Sequence, residues 1–104
     1  MAADMIIRGG TVVDGTGAPP FTADVAVKGG KVMAVGPSLE MSATKEIDAA
    51  GLLVCPGWVD VHTHYDAQVA WDPTLSPSCW HGCTTIVFGN CGCTFAPCWK
   101  VRHA

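Results

Sequence analysis

Leu52-Leu53-Val54-Cys55-Pro56-Gly57-Trp58-Val59-Asp60-Val61-His62-Thr63-His64 is the stretch on which the fold turns: an apolar, strand-like run that ends in His-x-His. In an extended strand, residues two apart share a face. Both imidazoles then aim at one point, with Cα atoms roughly 6–7 Å apart. Neutral imidazole ligates zinc and related divalent ions. Two ligands do not make a catalytic metal site, so the residues that follow decide the reading. A second strand-like run, Thr84-Thr85-Ile86-Val87-Phe88, leads into Gly89-Asn90-Cys91-Gly92 and offers a thiolate. His62, His64 and Cys91 are therefore expected on one shared rim.

Toward the N-terminus the pattern is short strands and tight turns. Met5–Arg8 leads to Gly9-Gly10, Thr11–Val13 leads to Asp14-Gly15, and Asp24–Lys28 with Lys31–Val35 brackets Gly29-Gly30. Asp-Gly and Gly-Gly pairs supply the positive φ of hairpin turns. Lys45–Asp48 and Leu52–Val54 add two more strands, so residues 1–55 predict an all-β meander with one irregular stretch, Ser38 to Thr44. After Pro56-Gly57 the pattern becomes a strand over 58–63, a loop or short helix over 66–71, and a Pro-broken segment. A helical turn around Ser78–His81 is expected to stop at Gly82, and a strand over 84–88 follows. Strand, helical crossover and strand form the βαβ unit of a parallel sheet or barrel. A complete β/α barrel takes about 250 residues. Residues 56–104 therefore read as the start of a barrel that is not finished.

The chain has 104 residues, enough for one small domain or for part of a larger one. Hydrophobic residues make up 49% and charged residues 14%, which excludes a disordered chain. The net charge is -3 and no basic cluster exceeds Lys100-Val101-Arg102, so several phosphates cannot be neutralised and nucleic acid is not an expected partner. No apolar run approaches the ~18 residues of a membrane span. Met1-Ala2-Ala3-Asp4 lacks the features of a secretory signal, which makes a cytoplasmic location the expectation. Open sheet edges leave pairing or aggregation between chains as a possible association. Of the six cysteines, five fall between Cys79 and Cys98, a placement that cannot staple the two halves together. Free or metal-bound thiols are expected instead.

Asp4–Gly15 followed by Pro56-Gly57-Trp58-Val59-Asp60-Val61-His62-Thr63-His64 resembles the start of the metal-dependent amidohydrolases. The extension Tyr65-Asp66-Ala67-Gln68 and the later Gly89-Asn90-Cys91-Gly92 resemble the N-acyl-D-amino-acid deacylase (D-aminoacylase) branch, and the likeness runs from Asp4 to about Pro97. The resemblance implies a β-sandwich flanking a TIM (β/α)8 barrel with one or two zinc ions at its mouth. It makes residues 1–55 part of the sandwich and 56–104 the first βαβ unit of an incomplete barrel. It further implies that His62, His64 and Cys91 are zinc ligands and that the substrate is a small N-acyl amino acid. The reaction it implies is hydrolysis of a linear amide to a carboxylate and a D-amino acid. The family's catalytic aspartate and two further histidines have no counterpart up to Ala104; His81 and His103 do not fall where those histidines belong. On this reading the chain is an N-terminal fragment, inactive alone.

Other readings compete. A His-x-His pair in an arbitrary strand is more often solvent-facing or packed in a core, and a lone cysteine is usually a small buried hydrophobe. A cysteine-rich zinc or interaction module would use Cys79, Cys83, Cys91, Cys93 and Cys98, but their spacings lack the paired Cys-x2-Cys knuckles of structural zinc sites. A cyclic-amide hydrolase of hydantoinase or dihydroorotase type shares His-x-His, and by resemblance lacks Gly-Asn-Cys-Gly. Asp60 and Asp66 flank the His pair, where each could orient an imidazole or cap a turn.

Overall fold

The structure is a computed structural model that describes residues 2–91. The chain divides into two compact units between Pro56 and Gly57. The strands of the first are β1 (Ala3–Val12), β2 (Phe21–Lys28), β3 (Lys31–Gly36), β4 (Ala43–Asp48) and β5 (Leu53–Val54). They form one sheet in the order β3-β2-β1-β4, with β5 also paired to β1. The β2–β3 hairpin turns at Gly29 and Gly30, both at positive φ (57° and 72°), as a two-residue loop of matching twist requires.

Two features depart from the expected meander. Gly9-Gly10 is no turn: β1 runs through it, and the register on β2 steps from Ile7↔Val25 to Gly10↔Ala23. Arg8 and Gly9 thus oppose Asp24 alone, the two-against-one arrangement of a β-bulge. The slip exchanges the faces of the strand. Ile6 packs with Ala3 and Ala26, whereas Val12 packs with Ala23 and Val25 in a second cluster that includes Ile7 and Val54. A side chain at Gly10 would overlap the Val54 Cγ2 methyl, so β1 and β5 can approach here only at glycine.

Secondly, β4 and β5 run parallel to β1 instead of extending the meander. The stretch expected to be irregular makes this return possible, because Leu39 and Met41 pack against the Ile6 cluster. Arg8 holds that stretch by donating to the carbonyls of Leu39 (2.8 Å) and Met41 (2.9 Å). Asp24, buried in the bulge, accepts from Arg8 Nη1 (2.9 Å), Gly9 N (2.8 Å) and Leu39 N (3.1 Å). One carboxylate therefore satisfies the bulge and the returning chain together.

The second unit contains β6 (Trp58–Asp60) and β7 (Cys83–Ile86), paired in parallel. Their connection holds two 3-10 turns, Gln68–Ala70 and Ser78–His81, and no α-helix. The second turn ends at Gly82 with φ 83°, the left-handed stop expected there. Pro73 and Pro77 account for the missing helix, since proline removes a donor and clashes with the preceding turn. Side chains hold the segment instead. Asp72 accepts from Ser76 N and Oγ (2.8 and 2.7 Å), Thr74 N and Oγ1 (3.0 and 2.8 Å) and Gln68 Nε2 (2.8 Å), while the Tyr65 and Ser78 hydroxyls meet at 2.7 Å. The Ser76 hydroxyl, then Gln68 and Thr74, hold the Asp72 carboxyl well below the usual carboxylate range. Among the described residues no helix is long and apolar enough to cross a membrane.

Candidate metal centre

β6 ends at Asp60, earlier than the expected strand over 58–63, because the Asp60 Oδ1 atom accepts from His62 N (3.3 Å) and starts a bend. Strand-like alternation nevertheless persists: Thr63 and Tyr65 are buried, while His62 and His64 are exposed. The two imidazoles lie on one side with ring centroids 5.7 Å apart and planes tilted by 35°. Parallel pairing continues past both strands. Val87 N donates to Asp60 O (2.8 Å), and Thr63 donates to Val87 O through its backbone N (3.1 Å) and its hydroxyl (2.9 Å).

After β7 the chain turns at Gly89, φ 86°, and Asn90 Nδ2 donates to Val61 O at 2.8 Å. Cys91 comes next. A nitrogen of His62, a nitrogen of His64 and Cys91 Sγ all lie within 4.8 Å of one another, and all three residues are exposed. Two imidazoles and a thiolate are a donor set that zinc accepts. At metal–ligand lengths of about 2.0–2.3 Å, tetrahedral ligands stand about 3.3–3.6 Å apart. The three side chains reach that spacing by closing at most about 1.2–1.5 Å, which rotation of exposed side chains permits. The residues fit such an ion.

Neither flanking carboxylate bonds an imidazole among the described residues. Asp60 caps the bend, and Asp66 is buried with its Oδ1 atom lacking a hydrogen-bond partner among them. Among the described residues Cys55, Cys79 and Cys83 form no disulfide, and neither Cys79 nor Cys83 joins a metal-ligating group with Cys91. Cys93 and Cys98, and with them the rest of the cysteine-module reading, lie outside the described residues, as does His103. His81 lines a groove with Trp58, Val59 and Cys83 that does not include the three donors. The contributions of Thr63 and Asn90 have no signal in the sequence, because each acts through a carbonyl remote along the chain, Val87 O and Val61 O.

A profile of the amidohydrolase family matches residues 45–102, more than half of the chain. An N-acyl-D-aspartate deacylase of Alcaligenes xylosoxydans xylosoxydans is 43% identical over 95 residues, covering 91% of this chain and 19% of that protein. The crystal structure of an N-acyl-D-glutamate deacylase from Bordetella bronchiseptica, complexed with zinc and a phosphonate mimic of the tetrahedral intermediate, superposes with a TM-score of 0.86. It is 38% identical, covering 100% of this chain and 22% of that one. A D-aminoacylase studied for its binuclear metal centre, with activation by one metal and attenuation by a second, gives 0.84 at 46% identity over 92% of this chain and 20% of its own. The chain belongs to the amidohydrolase family, in its D-aminoacylase branch. It spans about a fifth of the length of these relatives.

Proposed function

We propose that this chain carries the opening strand pair of a (β/α)8 amidohydrolase barrel, preceded by part of the flanking β-sandwich, and that it contributes three ligands to a zinc centre. The complete enzyme hydrolyses linear amides, converting an N-acyl-D-amino acid to a carboxylate and a D-amino acid. The observation that carries this reading is the approach of His62, His64 and Cys91 within 4.8 Å. Cys91 is remote in sequence from the His62–His64 segment, and the relatives of the same branch act on N-acyl-D-amino acids by name.

The neutral imidazoles and the thiolate would hold the ion, the thiolate being the soft donor that zinc retains. Bound there, zinc supplies Lewis acidity, making water more acidic and polarising an amide carbonyl at neutral pH. The chain's own part is to bind and orient. The exposed donors face solvent, where a substrate carbonyl can approach, while buried Thr63 and Tyr65 anchor the opposite face. Proton transfer to the departing amine needs a carboxylate near the donors. Asp60 is engaged with the His62 backbone through Oδ1, and the family resemblance, not the geometry, gives that role to an aspartate with no counterpart in this sequence.

The test is to purify the polypeptide containing this sequence from its source and assay N-acetyl-D-amino acids, N-acetyl-L-amino acids and hydantoins, with and without chelator. Chelator-sensitive release of D-amino acids is expected. Ring-opening of hydantoins without release of D-amino acids would contradict the linear-amide reading, and activity indifferent to chelator would contradict the zinc centre.

A further inference from the structure

We infer that Asn90 is a positioning residue for the thiolate: its side-chain amide sets the distance between Cys91 and the imidazole pair. The inference rests on the metal-centre reading above and deepens it. The three donors are not held equally. His62 and His64 share one short segment, so alternation along the backbone keeps them on one side whatever happens elsewhere. Cys91 arrives from another segment, beyond the last backbone pairing between the two strand ends, which is formed by Val87 with Asp60 and Thr63. From Phe88 to Cys91 no backbone hydrogen bond ties the described chain to the 61–64 segment. Gly89 then reverses the backbone at φ 86°, which leaves the direction of the following residues open.

Across that gap one side-chain bond is present, from Asn90 Nδ2 to Val61 O at 2.8 Å. Its ends are well placed for the task. Asn90 immediately precedes the thiolate, and Val61 immediately precedes the first imidazole. A carboxamide suits the role because it donates to a carbonyl and brings no charge to compete for a cation. The bond thus fixes the one donor that strand register leaves free. Partners of this kind, which hold a ligand without touching the metal, typically change affinity by about 10–100-fold when lost.

Cobalt(II) replaces zinc as the probe, because a thiolate–cobalt charge-transfer absorption reports sulfur ligation and no other feature of the fold. The polypeptide containing this sequence and its Cys91→Ser, Asn90→Ala and Asn90→Asp variants are titrated with cobalt(II), and then with zinc in competition. The wild-type chain should show the band, and Cys91→Ser should lack it. Asn90→Ala should bind zinc about 10–100-fold more weakly, with most of the band lost. Asn90→Asp keeps the size of the side chain but cannot donate when ionised. It should also lose the band even if its carboxylate restores some affinity.

A role in stability alone would lower the unfolding temperature and leave the band of the loaded protein intact. A full band in either folded Asn90 variant therefore overturns the inference. Absence of the band in the wild type, or its survival in Cys91→Ser, instead overturns the metal-centre reading beneath it. Should neither variant fold, hydrogen exchange of the Asn90 side-chain amide in the wild type decides. Slowed exchange is expected, and exchange at the rate of a free carboxamide overturns the proposal.

Discussion

His62, His64 and Cys91 stand out in the sequence as candidate donors because donor chemistry and spacing are properties of residues, and the structure brings the three within 4.8 Å. What could not be read was the bonding that brings them together. Thr63 looks like a spacer between two histidines, yet its backbone and hydroxyl both reach Val87 O. Replacing either histidine with alanine, or Cys91 with serine, should weaken zinc binding by more than the 10–100-fold typical of outer-shell losses. Calorimetric titration checks this, and an unchanged affinity in any of the three would remove that residue from the set. Two glycines have a separate, steric role. A Cβ at Gly10 would overlap Val54, and one at Gly57 would overlap the Thr84 side chain. Alanine at either position should cost about 1–3 kcal/mol through overpacking, measurable by urea denaturation of the unit that contains it.

The strands show where pattern reading holds and where it stops. Alternation and Gly-Gly chemistry located the β2–β3 hairpin, because its turn is decided by the two residues that form it. The same dipeptide at Gly9-Gly10 became a bulge, because the deciding partners, Asp24 and Val54, are remote in sequence. The parallel return of β4 and β5 is illegible in the local pattern for the same reason. It depends on Arg8 reaching the 39–41 carbonyls. This network gives the first unit a defined acid limb. Backbone donors from Leu39 and Gly9, then Arg8, hold the Asp24 carboxyl below its ordinary value, and Arg8 does the same for Glu46. A carboxylate so depressed adds stability that is complete above its unfolded value, about 3.9–4.3, and is lost as pH falls toward the folded value. Stability of the first unit should therefore be flat from about pH 7 to 5 and decline below about pH 4, with a shallower decline in Asp24→Asn. Thermal unfolding across pH checks it, and a loss that begins near neutrality would point to other groups.

Taken whole, both units leave large apolar side chains open: Val32, Leu52 and Leu53 in the first, and Trp58, Val59, Val61 and Trp80 in the second, are all more than half exposed. The three candidate donors all lie in the second unit, which predicts an uneven response to metal. On chelation, amide hydrogen exchange should quicken over residues 58–64 and 83–91 and stay unchanged over 3–48. Uniform quickening along the chain would favour a structural zinc module, which unfolds outright without its ion. The most informative single measurement is X-ray absorption at the zinc edge of the loaded chain. Nitrogen ligands at about 2.0–2.1 Å together with one sulfur at about 2.3 Å are the result expected of His62, His64 and Cys91. A shell with no sulfur, or one with several sulfurs and no imidazole, would contradict the assignment.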